Sequence, residues 1–429
     1  MAKLINPLRG GVRVPGDKSI SHRALFLAAL AEGTSRLEGL NRGEDVRATL
    51  SAVAALGADC RPSADFSEAI VKGYGYAGLR EPDDVIDAGN SGTTLRVLAG
   101  VCATVNGVTV LTGDASLRRR PMARIAEPLR KLGAVVDGRG QGHLPPLIVR
   151  GGKLEGTTLA TAVASAQVKS ALLLAGLGAP GTTSVTEPAL SRDHTERMLA
   201  ACGVSLTRRA QTVSVTGGQS ITPLELRIPG DISAATYLLV AATLIPESDL
   251  TVEAVGLNPT RCGALAVLKR MGAQIDIEVV GEECGEPVGN VRVRGSLLAG
   301  VQISEREIPS LIDEIPALAI AAAAAEGETV ISGASELRVK ESDRIATLVE
   351  GLSTLGVRAR ALPDGLVIEG PTRWSDGHID EHGDHRIALA FALAGLVSGK
   401  AVDIKRGAAV NVSWPEFWNT VAAARNGCG

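Results

Sequence analysis

Six times along the chain, a run of almost uninterrupted Ala, Leu, Val and Ile is opened by a short polar turn. The runs begin K-S-I-S-H-R-A-L-F-L-A-A-L at Lys18, G-N-S-G-T-T-L-R-V-L-A-G at Gly89, and S-A-Q-V-K-S-A-L-L-L-A-G-L at Ser165. The other three are P-G-D-I-S-A-A-T-Y-L-L-V-A-A at Pro229, L-I-D-E-I-P-A-L-A-I at Leu311, and G-D-H-R-I-A-L-A-F-A-L-A-G-L at Gly383. A helix that is apolar around its whole circumference must be buried, so each run predicts a core helix. After most of them come a Gly-bearing turn into a β-type segment, a second helix, and a short entry to a strand, as at Gly57-Ala58, Gly133-Ala134, Gly203-Val204, Gly272-Ala273 and Gly356-Val357. The theme recurs about every 70 residues, the signature of an internal repeat.

Alternating helices and strands predict an α/β protein. The strands are irregularly polar and Gly-rich, unlike the Val/Ile runs of a doubly wound parallel sheet, so three repeats per domain fit better. Two near-identical phrases, V-P-G-D-K-S at 14–19 and I-P-G-D-I-S at 228–233, stand half a chain apart, where a duplicated protein would cross between halves. The expected division is an N-terminal domain over 18–228 and a C-terminal domain of 1–17 plus 229–429, with hinge strands near 14–18 and 227–231.

Composition refines this picture. Of the 429 residues, 45% are hydrophobic but only 2% aromatic, so the cores must be aliphatic. The net charge of -3 gives no general attraction to nucleic acid or anionic membrane, and any anion site has to be local. Six cysteines show no C-x-x-C spacing, which argues against a zinc site or a disulfide framework and for a reduced, cytoplasmic setting. The N-terminus lacks the apolar segment of a signal peptide, and the run 315–325 is too short to span a bilayer. The expectation is a soluble, monomeric protein acting on small molecules, with no membrane, nucleic-acid, metal or organic-cofactor partner.

Candidate chemistry gathers at the helix openings. Gly16 supplies a turn, Ser19 or Ser21 can cap the first helix, and Lys18 then lies beside its free N-terminal amides, an arrangement suited to an anion. Similar openings occur at 90–93, 165–167, 231–233, 312–314 and 383–386. In E-L-R-V-K-E-S-D-R-I, 336–345, Lys340 and Arg344 are spaced to share a helix face, with Glu341 three before Arg344. Asp384, His385 and Arg386 stand at the mouth of the last core helix. Arg118, Arg119 and Arg120 form either a phosphate clamp or a basic loop. Asp313 and Glu341 are the two candidate proton-transfer carboxylates. The stretch 11–19 falls one residue off the spacing of a phosphate-binding P-loop, with Asp17 inserted, and His378 and His382, four apart, are a weak metal pair.

Taken together, P-G-D-K-S-I-S-H-R, G-N-S-G-T-T-L-R, R-R-P-M, S-A-Q-V-K-S-A-L-L, S-R-D-H-T-E, I-D-E-I-P, R-V-K-E-S-D-R and G-D-H-R, in this order, resemble the 5-enolpyruvylshikimate-3-phosphate synthase family over nearly the whole chain. The resemblance implies a two-domain inside-out α/β barrel, each domain three βαβαββ repeats closing on substrate. It implies transfer of the enolpyruvyl group of phosphoenolpyruvate to the 5-hydroxyl of shikimate 3-phosphate, with release of phosphate, by addition and then elimination. By matching positions, Lys18, Gly92, Arg120, Gln167, Arg344 and Arg386 are implied for phosphoenolpyruvate. Ser19, Arg23, Ser165, Ala166, Gln167, Ser191, Asp313 and Lys340 are implied for shikimate 3-phosphate, and Lys18, Asp313 and Glu341 for catalysis.

Two positions depart from the family pattern: Ala166 stands where many members carry Ser, and Val412 where many carry Lys. Gly92 matches the place where glyphosate would lie against the phosphoenolpyruvate site, which implies inhibition by that herbicide. An alternative within the fold is the enolpyruvyl transferase acting on UDP-N-acetylglucosamine, which carries a reactive Cys in the loop matching 111–124; this loop has none. A non-catalytic anion-binding scaffold is the alternative from another class, but it has no use for Asp313 and Glu341.

Overall fold

The six apolar runs are helices, and their burial decides where everything else goes. In the computed structural model, which describes residues 6–412 and 414–426 with the backbone alone at 408, 411 and 412, they are Lys18–Leu30, Gly92–Cys102, Ala166–Leu177, Ile232–Leu244, Ile315–Ala324 and His385–Ser398. Ile20 to Leu30 of the first are buried without interruption, as are Ile315 to Ala323 of the fifth. Other helices between them, such as Glu44–Ala55 and Arg344–Thr354, bury one face and expose the other.

The strands follow one plan repeated through the chain. Glu225–Arg227 runs parallel to Glu32–Glu38, which pairs antiparallel with Glu68–Tyr74, which pairs antiparallel with Asp59–Pro62. The same parallel-then-antiparallel order holds for Ile86–Asp87, Val108–Thr112, Leu144–Arg150 and Val135–Gly138, and for Thr158–Ala160, Thr182–Thr186, Thr212–Thr216 and Leu206–Arg209. It holds again for Gln302–Ile303, Gly327–Ile331, Gly365–Gly370 and Arg358–Leu362. Arg9–Arg13 opens the remaining four-stranded sheet, parallel to Asp249–Gly256, followed by Glu286–Arg294 and Gln274–Glu283. The sixth copy stops at two parallel strands, Gly377–Ile379 and Val402–Ile404, after which the chain turns into the short helical segments at Gly407–Val412 and Phe417–Asn426. The sheets remain separate, and among the described residues none closes on itself. The architecture is mixed α/β.

The chain divides into two compact units. The N-terminal unit is Gly16–Ile228 with Glu282–Glu286; the C-terminal unit is Pro229–Gly281 and Pro287 onward, together with the segment up to Pro15. Each has its own aliphatic core, one including Leu25, Leu98 and Leu173, the other Leu238, Ile320 and Leu389. Within the C-terminal core the Trp414 ring meets Phe417 edge-on, with centroids 5.1 Å apart. No helix among the described residues is long and apolar enough to cross a membrane.

Three local expectations are corrected. Neither Ser19 nor Ser21 caps the first helix; Asp17 does, its carboxylate accepting the Ile20 N–H at 2.8 Å, while Ser21 Oγ accepts the Asn41 N–H. A carboxylate one residue before the helix reaches the free amides better than a hydroxyl already inside the first turn. Gly16 is not in the left-handed region; it is required because a Cβ there would lie 1.8 Å from the Gly39 carbonyl oxygen. Lys340 and Arg344 do not share a helix. Asp343 caps the helix that starts at Arg344, accepting the Ala346 N–H at 3.1 Å and leaving Lys340 in the preceding loop.

Close packing of two core helices depends on Gly100, whose Cβ, if added, would stand 2.2 Å from the backbone oxygen of Ala171 on the neighbouring helix. A methyl there forces the helices apart. Gly100→Ala is therefore expected to destabilise the fold by about 1–3 kcal/mol, read as a lower urea midpoint at unchanged m-value.

Candidate active site

In the N-terminal unit the three core helices bring their polar openings together through side-chain links. A buried chain joins the first to the second: His22 Nδ1 lies 2.7 Å from Thr49 Oγ1, which lies 2.6 Å from Thr94 Oγ1, which donates to Ser91 Oγ at 2.7 Å. Burial, with Lys18 and Arg23 nearby, pulls the His22 pKa well below its usual value, so the ring is neutral and this chain carries no charge. Arg23 joins the first helix to the third, donating from Nη2 to Ser170 Oγ at 2.9 Å and from Nε to Thr195 Oγ1 at 2.8 Å. Gln167 joins the third to the second, donating to Thr93 Oγ1 at 2.9 Å and accepting from Arg96 Nη1 at 2.7 Å.

The predicted residues of this unit are distributed around those openings. Lys18 is the first residue of its helix and forms an ion pair with Asp45, itself near the start of the Glu44–Ala55 helix. Arg23 is buried and donates from Nη1 to the Ser19 carbonyl one turn earlier at 2.9 Å; burial lowers the guanidinium pKa to about 10, still charged at neutral pH. Of the three consecutive arginines, Arg118 and Arg119 are exposed, and Arg120 alone turns inward to bond Asn90 Oδ1 at 2.6 Å and the Asn90 carbonyl at 3.2 Å. Gly92 begins its helix with a Cβ position 3.1 Å from Arg96 Nη1 and 3.3 Å from Arg120 Nη1. Ser165 caps its helix, with Ala166 and Gln167 as the first two residues, so their N–H groups have no helical acceptor. Ser191 Oγ is buried with no hydrogen-bond partner among the described residues.

The remaining predicted residues lie in the C-terminal unit, where Asp313 is the common target of three cations. Arg344 Nη1 and Lys340 Nζ approach its Oδ1 at 3.4 and 3.5 Å, Arg386 Nη2 its Oδ2 at 3.9 Å, and Arg386 Nη1 donates to its carbonyl at 3.2 Å. Arg344 is buried and spreads its guanidinium over three carboxylates, donating to Asp384 Oδ2 at 2.7 Å and Glu341 Oε2 at 2.6 Å besides Asp313. Burial opposes its charge, but Asp384, Glu341 and Asp313 outweigh burial and raise its pKa. Arg386 is raised in the same way, against burial, chiefly by Asp313. Arrayed like this, the carboxylate sits among groups that keep it ionised, and the cations around it can hold an anion.

Several members of these networks are not singled out by sequence. Asp45, as the partner of Lys18, has no motif. Arg96 could have been found, because four residues after Gly92 on a helix is one turn above it. Asp384 was visible as a helix opening, not as the carboxylate that holds Arg344. The side chain at Val412 lies outside the described residues. His378 is exposed and pairs with Asp403 at 2.7 Å, and no group of three His, Cys, Asp or Glu among the described residues is arranged to hold a metal ion.

Comparison with known proteins agrees along the chain. Residues 2–421 match the family model of EPSP synthase (3-phosphoshikimate 1-carboxyvinyltransferase). The 3-phosphoshikimate 1-carboxyvinyltransferase of Synechococcus sp. (strain JA-3-3Ab) is 51% identical over 417 residues, which cover 96% of this chain and 94% of that one. The EPSP synthase of Acinetobacter baumannii superposes with a TM-score of 0.87 at 42% identity, over 98% of this chain and 96% of that one. The enolpyruvyl transferase NikO from Streptomyces tendae shares the fold at a TM-score of 0.78 and 19% identity, over 98% of this chain and 95% of that one. The chain therefore belongs to the EPSP synthase family of enzymes, the 3-phosphoshikimate 1-carboxyvinyltransferases.

Proposed function

We propose that the two sets of residues serve one reaction, the transfer of the enolpyruvyl group of phosphoenolpyruvate to the 5-hydroxyl of shikimate 3-phosphate in a cytoplasmic, monomeric enzyme of the shikimate pathway. The observation that carries the assignment of roles is Asp313, a carboxylate facing Lys340, Arg344 and Arg386 within 4.0 Å. A scaffold that only captured anions would gain nothing from an acid at the centre of its cations.

The reaction proceeds in two stages. The 5-hydroxyl oxygen bonds to C2 of phosphoenolpyruvate while its proton passes to Asp313 and Glu341 delivers a proton to the methylene carbon, which becomes a methyl group. The tetrahedral intermediate then returns a methyl proton to the Glu341 carboxylate as the bond from C2 to the phosphate oxygen breaks, and the leaving phosphate takes up the proton held by Asp313. Lys18 stabilises charge on that phosphate. Arg120, Arg344, Arg386, Gln167 and the Gly92 amide hold phosphoenolpyruvate, with Arg supplying paired N–H donors that match carboxylate and phosphate. Ser19, Arg23, Ser165, Ser191, Gln167, Lys340 and Asp313 hold shikimate 3-phosphate, and the Ala166 N–H replaces the hydroxyl found in many relatives.

Phosphate release from phosphoenolpyruvate is expected with shikimate 3-phosphate and not with UDP-N-acetylglucosamine; the reverse pattern would overturn the assignment of acceptor. Asp313→Asn and Glu341→Gln should each lower kcat by at least roughly a hundredfold in protein that still folds at the assay temperature, and near-normal turnover in either would remove its proton-transfer role. Glyphosate should inhibit in competition with phosphoenolpyruvate. Gly92→Ala, whose methyl would press on the Arg96 and Arg120 guanidiniums, should raise both the KM for phosphoenolpyruvate and the glyphosate concentration needed for half inhibition; equal inhibition of variant and parent would show that those arginines do not contact the herbicide's site.

A further inference from the structure

We infer that Glu187, a buried carboxylate outside every motif, is a positioning residue that sets the distance between the two serines of the acceptor site, Ser165 and Ser191. The inference rests on the reading of those serines as contacts to the phosphate of shikimate 3-phosphate.

Glu187 is 2% exposed and follows directly on the strand Thr182–Thr186. Its two oxygens are used separately. Oε1 accepts the Ser165 N–H at 3.1 Å, and Oε2 accepts the Ser191 N–H at 3.4 Å. These amides belong to different loops, one leading into the Ala166–Leu177 helix and one leading toward the His194–Ala201 helix. One carboxylate thus ties the loop before each serine to the other, and the Ser191 hydroxyl next to it is buried without a protein partner among the described residues. A buried hydroxyl in that state calls for a partner, and the substrate phosphate would supply one.

A negative charge beside an anion site needs neutralising, and Lys169 does this. Its Nζ lies 2.8 Å from Glu187 Oε2 and 2.8 Å from Glu196 Oε1, and the lysine is itself 2% exposed. Lys169 N–H also donates to the Ser165 carbonyl at 3.0 Å, so the lysine is carried by the first turn of the same helix that Ser165 caps. Glu187 and Glu196 both make buried ion pairs with one ammonium, Glu196 also approaching Arg208 Nη2 at 4.0 Å, but of the two it is Glu187 that accepts from the serine amides. That difference supplies the control.

Glu187→Gln keeps the shape and one acceptor but turns an N–H₂ group toward either a loop amide or the ammonium. The KM for shikimate 3-phosphate should rise roughly tenfold or more while kcat and the KM for phosphoenolpyruvate stay within about twofold. Glu196→Gln, which removes the other carboxylate from Lys169, should leave the acceptor KM within about twofold. Should Glu187→Gln not fold, Glu187→Asp retains the charge with shorter reach and should show the same selective rise at smaller amplitude. Equal effects of the Glu187 and Glu196 variants, a joint rise of both KM values, or failure of both Glu187 variants to fold would each reduce Glu187 to a structural ion pair and overturn the inference. Calorimetric titration of the parent protein with shikimate 3-phosphate separates the two levels: no binding there would sink the reading of the serines, whereas binding by the parent with no selective loss in the variants would sink only the role of Glu187.

Discussion

A helix that is apolar on every side leaves only its ends for polar chemistry. Here that constraint acts six times, since the core helices are buried along nearly their whole length and have almost no polar face to carry a side chain into solvent. What remains is the first turn of each, where free N–H groups and a capping residue are unavoidable. Asp17, Ser91, Ser165, Asp231 and Asp384 each satisfy one such amide. The residues just inside the caps, Lys18, Gly92, Ala166, Gln167 and Arg386, are then fixed by the rigid helix behind them. A chain with a net charge of -3 can in this way assemble a strongly anion-seeking set of groups without a net positive charge.

The cations are not left loose. Arg344, 1% exposed, would be costly to bury alone, and its three carboxylate partners offset that cost while fixing its orientation. Removing one partner of such a group typically costs about 3–5 kcal/mol. Asp384 therefore serves twice, capping the last core helix through the Arg386 N–H and holding Arg344 by its side chain. Lys18 and Arg120 are held by Asp45 and Asn90 in the same spirit. Asp384, Asp45 and Asn90 thus hold these cations without a substrate contact being asked of them.

Much of this was legible in the sequence, because apolar runs and polar openings are local patterns. The six core helices, their repeat, and the residues at their starts all follow from composition over a few turns. What was not legible depends on contacts distant along the chain. Gly16 invites a positive backbone angle, but its need is for space beside Gly39 and Ile228. The spacing of Lys340 and Arg344 fits a helix, yet Asp343 captures the Ala346 amide and starts the helix later. Glu187 meets Ser165 across 22 positions through a strand and a turn, and no periodicity joins them. Helix caps compete over a few residues and can be misassigned by one or two; pairings across folds of the chain leave no trace in spacing at all.

The repeating sheet plan, in which two of the leading strands come from distant parts of the chain, bears on how the chain is made. In the N-terminal unit the first sheet takes its leading strand, Glu225–Arg227, from the unit's far end, with Leu224 and Ser35 bonded across 189 positions. In the C-terminal unit the corresponding strand is Arg9–Arg13, and Leu8 bonds Ser248 across 240 positions. Contacts of such separation pay a large loop-closure entropy before they are rewarded, and they slow folding. A growing chain emerging N-terminus first would have to keep the segment 9–13, itself an unpaired strand, waiting until residue 249 and its neighbours appear. Apart from Glu282–Glu286, the N-terminal unit is closed by residue 227 and can be assembled by then. The order of synthesis thus favours one unit folding inside the span of the other, with the first-made strand among the last to find its partner.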